Sequence, residues 1–431
     1  RRKRLIGAAG ATQAASGGML GTALVVYVGR AGSPLAVSAL ATAFFVASMV
    51  FSPLWGAVGD LSGRRRGLLL ALSAITSLVT FGFLLVDGVW GFVGLRGLRA
   101  VFAVAFGPLV LSIVRSLVGQ ARRGRSVGFV SSRSAAGDVG AQLSVGVLLG
   151  VLTPSSLFLV IGSLSLLTTV LLAFVDEPSS SPDPTPSLRE LAANVRSRLL
   201  PDATERARLR RTGLTWLYVG IAVRHVAVQG IGALLPIYLV GRLGLPTTVM
   251  GALLAAGPAA QIGFMPLFGR LADRGERKRL VVGGILLSGI YTLVLASASL
   301  PSRLPARAAV AAIGFVTIAA GFSAMDVGVI STIGDRVPDS RESAFVGLRS
   351  TAAGAGGVLG PSVVGLLATV IGFAAAFAVA SSFAFAGAAI VAARVEQPGR
   401  ATPPPTDLGT VETTTGIAQP PGAARGENGD R

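Results

Sequence analysis

The feature that most constrains this chain is a recurrence. Apolar stretches of roughly 20 to 25 residues return along its length, enough for a helix to cross ~30 Å of hydrocarbon at about 1.5 Å rise per residue. A helix satisfies its own backbone hydrogen bonds in lipid, so each stretch reads as a spanning helix. About twelve are expected: Leu5 to Val28, Leu35 to Val58, Gly67 to Val86, Trp90 to Val118, Ser126 to Leu149, Ser155 to Val175, Leu214 to Val240, Thr248 to Leu271, Leu280 to Ser299, Ala308 to Ile333, Ala344 to Thr369 and Phe373 to Ala393. The fold class that follows is an all-α membrane protein.

Composition agrees, since 52% of the 431 residues are hydrophobic and only 13% charged, too little polar surface to coat a soluble globule. A net charge of +18 would suggest nucleic acid binding in a soluble protein. Here the positive charge lies in short loops between apolar runs, and no basic stripe with interleaved aromatics marks a nucleic acid surface. The absence of cysteine excludes disulfides and thiol nucleophiles. With no nucleotide motif, Ser/His pair, metal-ligand cluster or paired acids on one face, neither an enzyme nor a cofactor is expected. The basic start Arg1-Arg2-Lys3-Arg4 leads into an apolar run longer than a signal core, so the first span reads as a retained anchor.

If the spans alternate, one set of loops holds Arg1 to Arg4, Arg64 to Arg66, Arg122, Arg123 and Arg125, the Arg206 to Arg211 cluster and Arg274 to Arg279. The other set has little beyond Arg30, Asp87, Arg242, Arg303 and Arg307. The positive-inside rule makes the first set cytoplasmic, with both termini on the cytoplasmic side of the cell membrane. A polar interruption divides the chain into residues 1–175, a linker at 176–212 and residues 213–394, followed by a Pro-, Gly- and Thr-rich tail at 395–431 expected to be disordered. In the linker, Ser187 and Glu190 form a capping box ahead of Leu188, Leu191, Val195 and Leu199 at helical spacing, which predicts one short amphipathic helix at the inner leaflet.

A motif repeats once in each half. Gly56-Ala-Val-Gly-Asp60-Leu-Ser-Gly63-Arg64-Arg65-Arg66 follows the second span, and Gly269-Arg-Leu-Ala-Asp273-Arg274-Gly275-Glu276-Arg277 follows the eighth. The glycines allow sharp reversal, the Asp can face a helix N-terminus or an Arg, and the basic cluster holds the loop at the membrane surface.

On these residues the chain resembles the major facilitator superfamily, whose signature loop after the second span reads G-x-x-x-D-x-x-G-R followed by Arg or Lys. Gly56, Asp60, Gly63, Arg64 and Arg65 fit it position by position; the second copy fits through Gly269, Asp273 and Arg274, with its glycine one residue early at Gly275. Arg96 occupies the place of a family arginine, and Gly357, Gly360, Pro361 and Gly365 look like the family's G-x-x-G-P-x-x-x-G motif. In the fifth span Gly137, Gly140 and Gly146 remain of that motif, with Ala141 in place of the proline. The resemblance implies two pseudo-symmetric six-helix bundles that rock about a central cavity, the repeated loops acting as gates. It also implies that the first, fourth, seventh and tenth spans line the cavity.

Ionisable side chains inside a membrane are costly and are functional candidates by default. The third, sixth, ninth and twelfth spans contain essentially none, the set that the resemblance turns toward lipid. Arg96 and Arg99 share one face of the fourth span and need a counter-charge or an anionic substrate group, and Asp138, at similar depth, is the internal candidate. Arg133 and Asp138 stand about 140° apart around their helix and are badly placed to pair. Substrate or cavity contacts are expected from Arg96, Arg99, Gln13, Arg224, His225 and Gln229, and proton coupling from Asp138 and Asp326; a static buried ion pair is the structural alternative for each carboxylate.

The expectation is a secondary transporter, acting as a monomer in the lipid bilayer. It moves a small organic molecule by alternating access, most simply by proton-coupled efflux. The alternative is uptake of an anionic metabolite coupled to protons or sodium, and a membrane sensor that binds without transport is a third reading.

Overall fold

A computed structural model describes residues 2–62, 64–117, 123–175, 188–199, 203–337 and 339–395. The expected disordered tail therefore lies outside the described residues, apart from Val395. The helices run α1 (Arg2–Ala31), α2 (Pro34–Ser62), α3 (Arg65–Phe81), α4 (Val89–Ala103), α5 (Phe106–Leu117), α6 (Arg123–Val151), α7 (Pro154–Ala173), α8 (Leu188–Leu199), α9 (Ala203–Thr212), α10 (Leu214–Ile237), α11 (Thr247–Asp273), α12 (Arg277–Ser297), α13 (Leu304–Arg336), α14 (Asp339–Ile371) and α15 (Phe373–Arg394). Among the described residues there is no strand.

Helix ends follow local chemistry. Thr153 accepts the amide of Ser156 at 3.3 Å, with Pro154 opening α7. Gly275 and Gly372, at φ +85° and +81°, take the left-handed backbone that turns α11 into α12 and α14 into α15.

Eleven helical stretches of the described residues are long and apolar enough to cross a membrane. Helix α1, with 30 residues, is the remaining long helix of the series; its Gly, Ser, Thr and Gln content dilutes its hydropathy, and it is covered by packing on α6 and α7.

Two expectations need correction. The fourth span is not continuous: α4 ends at Ala103 and α5 begins at Phe106. Pro108 has no amide proton to give the carbonyl of Val104, and its ring crowds that carbonyl, so the helical ladder breaks one turn upstream. The linker carries two helices, α8 and α9, where the pattern predicts one. Ser187 of the expected capping box lies outside the described residues. Helix α8 rests on α2 and α14, with Leu191, Asn194 and Val195 half-buried.

The packing scheme repeats with a shift of six spans. Helix α1 packs on α6 and α7 as α10 packs on α14 and α15. The contacts of α3 with α7, α2 with α4 and α3 with α4 recur as α12 with α15, α11 with α13 and α12 with α13. The contacts between the two series repeat as well, with α2 against α14 and α11 against α6. This is the two-series arrangement of a pseudo-symmetric helix array.

Lipid supplies little hydrophobic drive for helix association, so close contact depends on small residues. A Cβ on Gly146 of α6 would stand 2.7 Å from the Thr247 carbonyl oxygen and 2.9 Å from the Cα of Gly251 in α11. Across the other seam, a Cβ on Gly357 of α14 would meet the Phe45 ring at 2.7 Å, and Thr42 and Ser362 share a hydrogen bond of 3.0 Å. The amide of Leu35 donates to Thr369 Oγ1 at 3.2 Å. Ile237 lies against Gly29 where α10 passes α1. Among the described residues, the glycine contacts and hydrogen bonds that join the two series all fall toward the end of the array that holds the α1–α2 and α10–α11 turns. The basic α2–α3 and α11–α12 turns stand at the opposite end, because helices alternate in direction.

Candidate functional site

In the first series the intramembrane charges gather around α1, whose glycines make room for them. The Asp138 carboxylate reaches α1 at Gly18, where a Cβ would sit 2.6 Å from its Oδ1. One turn along, Arg96 reaches α1 at Gly21, its Nη2 3.4 Å from the corresponding Cβ position. Gln142 Nε2 lies 3.5 Å from Asp138 Oδ1, and the Thr22 hydroxyl donates to Gln142 Oε1 at 2.9 Å. The Arg96 guanidinium lies over the Phe44 ring at 5.0 Å, and its buried Nη1 has no hydrogen-bond partner among the described residues.

Arg99 is placed differently. It is 3% exposed, and its Nε donates to Thr80 Oγ1 at 2.8 Å while Nη2 donates to Ser16 Oγ at 3.1 Å. Ser16 passes the bond on to the Ile161 carbonyl at 3.2 Å. Arg99 therefore lies inside the packing of α1, α3, α4 and α7, whereas the sequence alone sets it on a cavity wall. Its charge is met by hydroxyls and not, as expected, by Asp138; among the described residues Asp138 forms no ion pair. Arg133 is exposed beside the Phe129 ring. Gln13 is half-buried without a hydrogen-bond partner among the described residues.

The second series has its own buried arginine. Arg224 of α10, 1% exposed, donates from Nε to Ser288 Oγ of α12 at 3.0 Å, and Ser288 donates to the Gly284 carbonyl at 2.9 Å. His225 gives its Nδ1 proton to the Ile221 carbonyl at 2.7 Å, which leaves Nε2 as the acceptor facing Arg224 Nη1 at 3.4 Å. Arg224 Nη2 is buried without a hydrogen-bond partner among the described residues. His225 is buried, and its backbone turn lies against α14 at Gly356, where a Cβ would stand 2.6 Å from the His225 Cβ. Gln229, one turn on, is half-buried. Asp326 of α13 pairs with Arg349 of α14, the two side chains 14% and 18% exposed.

Sequence reasoning did not single out Arg349, Thr80 or Ser288. The signals were present: Thr76, Ser77 and Thr80 mark a polar face on α3, an apolar span by composition, and Arg349 follows the start of α14 by three turns. The lipid-type helices α7 and α12 do show bare apolar faces, with Leu166, Leu167, Leu286 and Ile290 exposed.

Of the repeated loops, Gly63 lies outside the described residues. Gly56 is buried at the end of α2, Arg64 caps α3, and Asp60 accepts the Ser112 hydroxyl at 3.0 Å with Arg65 Nη2 at 3.7 Å. In the second copy Gly269 is half-buried and Asp273 and Arg274 are exposed. There the ion pair that ties adjacent helices is Arg277 with Asp335, at the start of α12 and the end of α13.

Comparison with known proteins bears on this arrangement. The family model of the Major Facilitator Superfamily matches residues 6–323 and 217–421. The chain is 26% identical over 354 residues to the multi-drug resistance efflux pump PmrA of Streptococcus pneumoniae serotype 4, covering 80% of this chain and 81% of that protein. It is 22% identical over 267 residues to the multidrug resistance protein MdtG of Salmonella paratyphi C, covering 60% and 62%. Among solved structures it superposes on the nucleoside transporter NupG with a TM-score of 0.75 at 12% identity, covering 92% of this chain and 100% of that one. It superposes on the POT family transporter PepTSo with a TM-score of 0.71 at 14% identity, covering 91% and 97%. The repeated packing scheme, the paired signature loops and a family match that spans nearly all the described helices make this chain a multi-pass member of the major facilitator superfamily of membrane transporters.

Proposed function

We propose that this transporter exports small, partly apolar organic compounds across the cell membrane by alternating access, in exchange for protons. The observation that carries the reading is the pair of repeated seams, α2 on α14 and α6 on α11, whose glycine contacts and hydrogen bonds among the described residues fall toward one end. Such an array can trade one set of seams for the other by rocking residues 1–175 against 213–394 about the linker. The positive-inside rule makes the basic-loop end cytoplasmic, with both termini there, so the conformation described is closed toward the outside. The efflux direction is supported by PmrA and MdtG, which are drug efflux proteins by name. As a member of a transporter family the chain is a transporter and not an enzyme.

Two carboxylates are assigned to coupling. Asp138 is held by a neutral amide and can gain or lose a proton without breaking an ion pair. Asp326 holds Arg349, so its protonation would release α13 from α14. Gln13, Arg96 and Gln229 are the substrate contacts this reading favours, with the gating loops at Asp60 and Asp273 closing the inner end. A second reading, proton- or sodium-coupled uptake of an anionic metabolite by a monomer, is favoured by the buried nitrogens of Arg96 and Arg224 that have no hydrogen-bond partner among the described residues.

Purified protein in proteoliposomes with an imposed pH gradient tests both. Export predicts gradient-driven accumulation of lipophilic drugs in vesicles of inverted orientation, and Asp138→Asn together with Asp326→Asn abolishes accumulation against a gradient. Accumulation that survives in the double variant refutes coupling through these residues.

A further inference from the structure

At the end of the array where the two series are joined, a cavity of about 370 Å³ opens between them. One wall is the end of α1 and the start of α2, with Arg30 and Pro34. The other is the end of α10, its continuation Tyr238–Arg242 and the first residue of α15, contributing Ile237, Val240, Arg242 and Phe373. None of the residues that line it is acidic. Arg30 stacks over Tyr27 at 5.8 Å, and neither Arg30 nor Arg242 forms an ion pair among the described residues.

This end of the molecule is poor in charge, yet two of its few arginines come from different series to one apolar cavity. Arg242 reaches it because α10 changes pitch. Tyr238–Arg242 is a π-helical turn, closed by the Leu243 amide on the Tyr238 carbonyl at 2.9 Å. Its wall is firm, since Tyr238 is fully buried, rests its ring on Phe377 at 4.9 Å and donates its hydroxyl to the Leu295 carbonyl. Both arginines are exposed, and two guanidinium groups on the walls of one largely apolar cavity offer an anion charge-assisted hydrogen bonds from both series.

We propose that this cavity is a second ligand site, at the joined end of the array, and that it takes an amphiphilic anion: a carboxylate, sulfonate or phosphate group between Arg30 and Arg242 with an apolar body against Ile237, Val240 and Phe373. Because its walls belong to different series, the site exists only while this end is closed. A bound anion therefore stabilises the closed end and slows transport. The same chemistry is offered by a soluble organic anion and by an anionic lipid.

The test uses the full chain in phosphatidylcholine nanodiscs and three probes of matched shape: 1-naphthalenesulfonate, 1-naphthylmethylammonium and 1-naphthalenemethanol. The sulfonate is expected to bind about tenfold tighter than the other two, and Arg30→Gln with Arg242→Gln to remove about that tenfold preference. Arg303→Gln, an exposed arginine at the same end and outside the cavity, leaves it intact. Equal binding of all three probes by the wild type overturns the proposal whatever the variants do, and so does a sulfonate preference that survives in a folded double variant. Phosphatidylglycerol added to the nanodiscs separates the sources. Competition with the sulfonate identifies lipid as the occupant, and no competition identifies a soluble anion; either result upholds the site.

Discussion

Replacing Gly146 with alanine puts one methyl group into the α6–α11 seam, and its effect follows from the seam's geometry. The new Cβ would lie 2.7 Å from the Thr247 carbonyl oxygen and 2.9 Å from the Gly251 Cα. Ordinary contact between such atoms begins at about 3.5 Å, so α11 must retreat by roughly 0.6–0.8 Å. Both neighbours are backbone atoms, which cannot turn aside as a side chain can. Overpacking of this kind costs about 1–3 kcal/mol. The usual gain in helix propensity on replacing glycine by alanine does not enter, because α6 is helical whichever end is open. The whole cost therefore falls on the conformer described, which lowers its population relative to the alternative by about 5- to 150-fold. The chain has no cysteine, so cysteine pairs introduced at the α2–α3 and α11–α12 turns can carry spin labels without background. Pulsed electron resonance should show the distance distribution across the basic end shifting to shorter values in Gly146→Ala. An unchanged distribution together with an unchanged melting temperature would mean that the seam absorbs the methyl, and the argument that these glycines set the conformational balance would fail.

Thr80→Val and Ser16→Ala each strip one hydroxyl from buried Arg99, and each should cost about 1–3 kcal/mol in thermal unfolding in micelles. Ser382→Ala, at an exposed hydroxyl that bonds only its own helix, should stay within about 0.5 kcal/mol. Asp326→Ala leaves Arg349 without its carboxylate and should destabilise toward the low end of about 3–5 kcal/mol, since the pair keeps some exposure. Adding Arg349→Ala should recover part of that loss, and a double-mutant cycle showing strict additivity would disprove the coupling.

The helix inventory was legible because hydrocarbon imposes one rule on every residue of a span, so length and composition suffice. The exceptions have local causes. Pro108 withdraws its amide proton and splits the fourth span, a signal present in the sequence and outweighed there by apolar length. The first span is diluted by Gly17, Gly18 and Gly21, yet Gly18 and Gly21 are what admit Asp138 and Arg96 to α1. Arg349 was invisible as a partner for Asp326 because nothing along the chain tells which of several arginines a distant helix will present.

By itself the sequence determined that this is a many-span helical membrane protein with repeated signature loops, because backbone satisfaction in lipid and the charge of short loops are properties of contiguous segments. Only the tertiary structure decided which charges meet. Arg99 turns to hydroxyls, Asp138 to an amide, Asp326 to Arg349, and Arg30 and Arg242 converge on one cavity from different series. Those outcomes depend on how helices far apart in sequence are rotated and how closely their glycines let them approach, quantities that no single segment encodes.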